Sequence, residues 1–285
     1  MAGSSRRARQ RTTTIQSMAY TAVAGLLSLI VIFPLVWVIA TSLKDRRQII
    51  QNPLGLPEVY YWSNYADAWR DGNFGTYFIN SIVVVIPTAM GVVALSLLAA
   101  YAFAMFRFRG KNALFTFFLI GLTVPLGILV IPIFYQMVSL KLVNNLWALI
   151  LPQTAVGLPF AILLLRGFIH ELPKEVLDAG RIDGCSNWGI LRFIVIPLSR
   201  PALLSVMIFN IVWVWNQFLL PVVLIQKASA RTLPQGLSVF MGRYGADFGL
   251  LMAGATISFV PVVIVYVIFQ RQFIKGIAAG ALSGI

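Results

Sequence analysis

Six long apolar stretches, separated by shorter polar segments, dominate the sequence. Each stretch lacks Asp, Glu, Lys and Arg over about 20 residues, the length that a helix needs to cross a bilayer. The predicted spans are residues 20–42, 78–105, 113–135, 146–165, 201–225 and 248–269. The pattern therefore predicts an all-α membrane protein with six transmembrane helices and both termini on one side.

Proline recurs in every predicted span. Prolines are common in membrane helices, where neighbouring groups compensate for the lost hydrogen bond. Two interpretations stay open: ordinary kinks, or hinges in a protein that changes shape. The prolines concerned are Pro34, Pro87, Pro125, Pro132, Pro152, Pro159, Pro201, Pro221 and Pro261.

The segment 171–200 is a long polar island in this apolar sequence. Pro173 suits the first turn of a helix, and Glu175 places negative charge at the positive end of its dipole. Gly184 is expected to end that helix in the left-handed conformation, and Ser186 to cap a second helix. Pro197 is expected to close the second helix. These signals predict two short helices joined by a glycine corner.

Composition supports a membrane protein. Hydrophobic residues make up 59% of the 285-residue chain and charged residues 11%, whereas a soluble domain has about 25% charged residues. The net charge is +13, but no run of basic residues is interleaved with exposed aromatic residues, as a single-strand nucleic-acid binder would need. The single cysteine, Cys185, excludes an internal disulfide, and no metal site is predicted. The lone His170 lacks a partner for catalysis and is expected to be solvated.

The distribution of Lys and Arg predicts the orientation. The N-terminal arm, the turn at 107–111, the 166–200 loop and the tail hold 14 of the 22 basic residues, and the opposite loops hold 8. The positive-inside rule places the first group in the cytoplasm. We therefore expect a cytoplasmic arm at 1–19, a transmembrane domain at 20–270 and a cytoplasmic tail at 271–285. The first span is read as uncleaved, since it is longer than a signal-peptide core.

The polar island resembles the cytoplasmic EAA loop of ABC importer permeases. That pattern is Glu-Ala-Ala, three residues, Gly, nine residues, Ile, one residue and Leu-Pro. Three positions depart from it, with Asp for Glu, Gly for the second Ala and Ile for Leu. The matching positions are Asp178, Ala179, Gly180, Gly184, Ile194, Ile196 and Pro197.

Further strings, in order and over about residues 20–285, resemble the carbohydrate-uptake branch of these permeases, in particular the smaller maltose-type subunit. They include Ala99-Ala100-Tyr101-Ala102-Phe103, Gly157-Leu158-Pro159-Phe160-Ala161 and Trp215-Asn216-Gln217-Phe218, with Gln217 where Glu is usual. The resemblance implies the type I importer permease fold with a cytoplasmic coupling helix at about 174–181. It also implies that the helix docks in a groove of an ATPase. The residues expected to couple are Glu175, Asp178, Ala179, Gly180, Asp183, Gly184, Ile194 and Pro197.

The resemblance also implies the partners. The nearest sequence to a phosphate loop, Gly110-Lys111, lacks the first glycine because Met105 occupies its place, and Asn112 replaces Ser or Thr. ATP and Mg²⁺ are therefore expected on a partner, and this chain is expected to be a non-catalytic subunit without a cofactor. The implied assembly in the bacterial cell membrane has a second, non-identical permease, two ATPase subunits and an extracytoplasmic solute-binding protein.

The solute is less well defined by the sequence. Sugars are bound by aromatic and amide groups, and the fifth span supplies Asn210, Trp213, Asn216 and Gln217. Buried amides also join helices to one another, so both interpretations stay open. A sugar or oligosaccharide is the expected solute. Glycerol-3-phosphate or a glycerophosphodiester is the alternative. An ion-coupled carrier is the alternative of another class, but it needs ionisable residues at membrane depth, and the predicted spans have none.

Overall fold

A computed structural model describes the backbone of residues 2–242 and 245–282 and the side chains of 20–241 and 247–270. The described part is helical apart from loops, turns and a two-residue antiparallel pair, β1 (Met241–Gly242) with β2 (Gly245–Ala246). The α-helices are α1 (Ala2–Ser42), α2 (Arg46–Gln51), α3 (Ser63–Asp71), α4 (Phe74–Met105), α5 (Lys111–Gly121), α6 (Leu126–Ser139), α7 (Trp147–His170), α8 (Lys174–Ile182), α9 (Asn187–Ile190), α10 (Ile196–Leu198), α11 (Arg200–Trp215), α12 (Leu219–Leu224), α13 (Leu233–Gly236) and α14 (Phe248–Leu282). A π-helical turn, Leu191–Val195, joins α9 to α10, and 3₁₀ turns cover Ala228–Ala230 and Leu237–Phe240.

Four helices of the described chain are long and apolar enough to cross a membrane: Tyr20–Ser42 within α1, then α4, α7 and Phe248–Gln270 within α14. Two further candidates are bent pairs, α5 with α6 at 100°, and Asn187–Leu198 with α11 at 74°. The predicted number of six is reached when each bent pair is counted as one span. The predicted N-terminal arm is the helical start of α1, and the side chains of 1–19 and 271–285 lie outside the described residues.

The third predicted span, 113–135, was wrong as a single helix. α5 ends at Gly121, and α6 begins after Pro125, which has an extended conformation with ψ 135°. Proline disfavours the helical conformation of the residue before it and has no N–H to donate. The other prolines inside helices, such as Pro87 and Pro261, are accommodated without a break.

The fifth predicted span, 201–225, was also wrong as one helix. α11 ends at Trp215, and the short α12 follows after a break at 216–218. The indole Nε1 of Trp215 donates to the backbone oxygen of Ser258 at 2.9 Å, and its ring meets Phe78 edge-on at 5.6 Å. These packing contacts fix the end of α11. Hydropathy alone does not predict them.

The chain divides into two compact units. In the larger unit, Arg70–Ser238 with Ser258–Ile285, α4 packs mainly against α7 and α11. Near the start of α4, Asn80 Nδ2 donates to the backbone oxygens of Ser229 and Arg231, at 2.9 Å each. Near its end, the Tyr101 hydroxyl donates to the backbone oxygen of Asn187 at 2.8 Å. A 32-residue helix is about 48 Å long, so the 226–236 loop and the polar island lie at opposite ends of α4.

The smaller unit, Met1–Trp69 with Val239–Ile257, is held by polar contacts around a buried lysine. Lys44 donates from Nζ to the backbone oxygen of Asn52 at 2.8 Å. Asn64 Nδ2 donates to the backbone oxygens of Ser42 and Lys44, and the Tyr65 hydroxyl lies 2.7 Å from Ser42 Oγ. Asp45 caps α2 by accepting from Gln48 N at 2.9 Å.

Candidate functional site

The α8 corner, residues 173–186, has the structure that its sequence predicts. Pro173 precedes the first residue of α8, Glu175 lies in its first turn and Arg181 in its last turn, where both charges oppose the helix dipole. Gly184 has φ +81°, and the backbone N–H groups of Gly184 and Cys185 donate to the oxygens of Arg181 and Gly180. These two bonds are the Schellman motif, which requires a left-handed residue and therefore favours glycine.

The helix after the corner begins as predicted and ends within one residue of the prediction. Ser186 Oγ accepts from Gly189 N at 3.2 Å and caps α9. The helix ends at Leu198, one residue after the predicted Pro197. The preceding π turn, Leu191–Val195, widens the backbone where a proline would otherwise clash. The bend comes at Ser199, between α10 and α11.

One face of α8 packs against the rest of the larger unit. Leu177 and Gly180 are buried, and Leu177 belongs to an apolar cluster with Tyr101, Leu165 and Ile169. A Cβ placed on Gly180 would collide with the Cδ1 methyl of Ile194. Two of the expected coupling residues therefore meet each other inside the chain, and they fix α8 to the helix that follows it.

The opposite face of α8 is exposed in this chain. It carries Glu175, Ala179 and Asp183 from the predicted set, together with Ile182, which is 87% exposed, and Val176, which is 42% exposed. The sequence reasoning missed the two apolar residues. The available signal was Ile182, seven residues after Glu175 and so on the same face of α8, whereas the apolar Leu177 lies on the other face. Pro197 is also exposed, on α10.

Charges on α8 are only partly paired. Arg181 donates to Asp178 at 2.7 Å, and both side chains are more than half exposed, so the pair contributes little to stability. Glu175 and Asp183 form no ion pair with the described side chains. They remain available to a cationic surface. The lone His170, at the end of α7, is exposed.

The candidate solute-path residues do not share one environment. Asn210 is 2% exposed, donates from Nδ2 to the backbone oxygen of Val206 at 2.9 Å, and its Oδ1 faces Gly157 of α7. Asn216 is exposed and donates to the backbone oxygen of Val212, whereas Trp213 and Gln217 are half-buried. Asn210 therefore contributes to the packing of α11 on α7, the helix-joining alternative noted above.

A buried glutamine in α7 escaped the sequence reasoning. Gln153 is 0% exposed, and neither of its amide atoms has a hydrogen-bond partner among the described residues. An uncharged polar residue within an apolar span was the available signal. Among the side chains at 20–241 and 247–270, no three His, Cys, Asp or Glu residues are grouped as metal ligands.

Comparison with known proteins agrees with this geometry. Residues 93–279 match the family described as the binding-protein-dependent transport system inner membrane component. The chain is 37% identical over 255 residues to the diacetylchitobiose uptake system permease protein NgcG of Streptomyces coelicolor, covering 89% of this chain and 84% of that protein. It is 34% identical over 280 residues to the arabinooligosaccharides transport system permease protein AraQ of Halalkalibacterium halodurans, covering 97% and 100%.

A third relative is the sulfoquinovosyl glycerol transport system permease protein SmoH of Agrobacterium fabrum, 32% identical over 89% of each chain. Among solved structures, a chain of a bacterial ABC transporter that imports the acidic polysaccharide alginate superposes with a TM-score of 0.78, at 22% identity, over 92% of this chain and 98% of that one. The fold is thus that of an ABC importer permease. The chain belongs to the family of inner membrane components of binding-protein-dependent transport systems.

Proposed function

We propose that this chain is the permease subunit of an ATP-driven importer that carries a sugar or oligosaccharide across the bacterial cell membrane. The observation that carries the proposal is the α8 corner: an exposed face on a short helix whose other face packs against the rest of the larger unit. The family supplies the context, since its members are inner membrane components that work with binding proteins.

Force applied to α8 has a defined path into the larger unit. Leu177 packs into the apolar cluster at the ends of α4 and α7, and Gly180 packs on Ile194. Ile194 lies in the π turn that leads through α10 to the bend before α11. A partner that moves α8 therefore moves the ends of three helices together, as expected of a shear or rigid-body transition.

The exposed face of α8 suits a protein groove. Ile182, Val176 and Ala179 provide exposed apolar contacts, and Glu175 and Asp183 add carboxylates near the two ends of the helix. Protein interfaces combine apolar and charged groups in this way. The partner that this proposal assigns is an ATPase subunit, which binds the ATP and Mg²⁺. Two ATPase subunits, a second permease and an extracytoplasmic binding protein complete the proposed assembly, with both termini of this chain in the cytoplasm.

The solute class rests on the relatives. Those described above are named for diacetylchitobiose, arabinooligosaccharides and sulfoquinovosyl glycerol, all of which carry many hydroxyl groups. None of the three names refers to a phosphate ester, so a glycoside is preferred to glycerol-3-phosphate. Family membership sets aside the ion-coupled carrier.

Gly184→Leu tests the coupling role. Nothing lies within 4 Å of a Cβ at this position, so the leucine side chain has room, and the strain comes from φ +81° alone. That strain is about 1–2 kcal/mol, which should alter the corner without preventing assembly. We expect the reconstituted importer to hydrolyse ATP while ATP-driven sugar uptake falls at least about tenfold, a change of about 1.4 kcal/mol.

The matched control for this experiment is Gly110→Leu. Gly110 also has a positive φ, +79°, with open space around its Cβ position, but it lies before α5 and outside the α8 corner. Uptake should be nearly normal in the control. Normal uptake by Gly184→Leu, or equal losses in both variants, would remove Gly184 from the coupling mechanism.

A further inference from the structure

A polar cleft of about 460 Å³ lies beside the α8 corner in the larger unit. Its walls are the end of α4 with the turn into α5, the end of α7 and one face of α8. Arg107, Lys111, Lys174 and Arg181 line it, and Asp178 is the single carboxylate among its lining residues. A volume of this size lies within the range of small-molecule sites. The face of α8 that lines the cleft is separate from the exposed face around Ile182.

The described residues do not neutralise the positive charge in the cleft. Asp178 is paired with Arg181 at 2.7 Å, and Lys111 Nζ donates to the backbone oxygen of Phe106 at 2.9 Å. Arg107 and Lys174 form no ion pair with the side chains at 20–241 and 247–270. Four cations and one carboxylate leave three positive charges uncompensated. Most of the N–H donors of these groups have no partner among the residues that the structure describes, since an ammonium has three donors and a guanidinium five.

The position of the cleft narrows the choice of anion. It lies at the ends of α4 and α7. A bilayer is about 40–45 Å thick with its headgroups, so the ends of a 32-residue helix that spans it reach the headgroup region. Part of its wall is apolar, formed by Met105, Phe106, Ile169, Leu172 and Leu177. An apolar wall adds nothing to the binding of free phosphate. It can contact the glycerol and upper acyl carbons of a lipid. Basic pockets between membrane helices are a known form of anionic lipid site.

We propose that this cleft binds a phosphate ester, and that the source is the headgroup of an anionic phospholipid such as phosphatidylglycerol. The guanidinium groups of Arg107 and Arg181 would donate to phosphate oxygens in the bidentate geometry that suits them, and Lys111 and Lys174 would add charge. The site is distinct from the proposed solute path and from the proposed ATPase contact. Its existence does not depend on which solute the protein carries.

The test uses the full-length chain purified in a neutral detergent, with the subunits that co-purify. Delipidated protein is titrated with dioleoylphosphatidylglycerol, with dioleoylphosphatidylcholine and, separately, with inorganic phosphate. Bound ligand is counted by native mass spectrometry. We expect phosphatidylglycerol to bind with at least tenfold higher affinity than phosphatidylcholine.

The variant for this test is the double substitution Arg107→Gln with Lys174→Gln, at two exposed positions. At about fivefold in affinity for each basic residue, the double variant should lose about twenty-five-fold in affinity for phosphatidylglycerol. The matched control, Arg192→Gln with Arg200→Gln, removes the same charge from exposed positions outside the cleft and should bind normally. The charge-preserving pair Arg107→Lys with Lys174→Arg should retain most of the affinity.

Three outcomes decide the matter. Phosphatidylglycerol binding that is lost in the cleft variant and kept in the control supports the site with a lipid as its source. Inorganic phosphate binding with the same dependence on Arg107 and Lys174, without lipid binding, supports the site with a soluble source. Unchanged binding in the cleft variant, or equal losses in the cleft and control variants, would overturn the proposal.

Discussion

At the scale of single residues, Gly184 and Gly180 are glycines for different reasons. Gly184 is required by its backbone, with φ +81° and open space around it. Gly180 has ordinary helical geometry and lies against the Ile194 side chain, whose terminal methyl would have to move aside for a Cβ at this position. The glycine that departs from the EAA pattern therefore has a packing role inside the chain. Glycine costs the helix about 1 kcal/mol relative to alanine.

A second residue-scale feature is the buried lysine of the smaller unit. Lys44 is 1% exposed and bonds to the Asn52 carbonyl, and it pairs with no described carboxylate. Burial lowers the pKa of Lys44 below its ordinary value of 10.5, because desolvation disfavours the charged form. The folded protein therefore releases this proton at a lower pH than the unfolded chain does.

The pH dependence of stability follows from that difference. Between the lowered pKa of Lys44 and 10.5, the unfolded state binds more protons than the folded state. The contribution of Lys44 to stability therefore rises with pH in this window, and it is lost as the pH falls through the folded pKa. We expect the melting temperature of the native protein, minus that of Lys44→Met, to increase from about pH 8 to about pH 10. Other groups cancel in the difference. A difference that is constant or decreases with pH would show that the Lys44 pKa is not lowered.

At the scale of elements, the close packing of α7 on α4 and α11 depends on Gly157. A Cβ at this position would lie 2.7 Å from Asn210 Oδ1 and 2.9 Å from Val92 Cγ2. Gly157→Val should therefore push α7 away and destabilise the protein by about 1–3 kcal/mol, as overpacking does. The measurement is the thermal unfolding of the purified protein.

Two further variants make the Gly157 experiment specific. Gly127→Val places the same side chain on α6, where nothing lies within 4 Å, and should have a small effect. Asn210→Ala removes one of the two obstructing groups, so the double variant with Gly157→Val should be less destabilised than the sum of the single variants. Strict additivity would argue against contact between these two positions.

How far the sequence predicts each element depends on how local its determinants are. The α8 corner was predictable because Pro173, Gly184 and Ser186 act through their own backbone neighbours. Pro125 is a local signal for the break before α6, but Pro87 and Pro261 are accommodated without a break, so the sequence alone does not say which proline interrupts a span. The break after Trp215 depends on packing, which hydropathy does not measure. Contacts such as Gly180 on Ile194 join residues 14 apart through the fold. Ile182 can be identified as a contact residue only when the structure shows that the other face of α8 is buried.

At the scale of the whole molecule, the larger unit places its two polar ends far apart. The α8 corner and the basic cleft lie at one end of α4, and the 226–236 loop, held by Asn80, lies at the other. This separation matches a subunit that receives a solute on one side and is driven from the other. The apolar cluster at Leu177 and the helices α4, α7 and α11 are the physical connection between the two ends.

The central claim is that the exposed face of α8 contacts an ATPase, and site-directed photo-crosslinking tests it most directly. Cys185 is the only cysteine of the chain, so Cys185→Ser gives a clean background. Ile182→Cys in that background is labelled with benzophenone maleimide and irradiated in membranes that contain the assembled importer. Val59→Cys, at an exposed apolar position in the smaller unit, is the control. We predict a covalent adduct between residue 182 and the ATPase subunit and none from residue 59. An Ile182→Cys protein that labels fully yet forms no adduct with the ATPase would contradict the account.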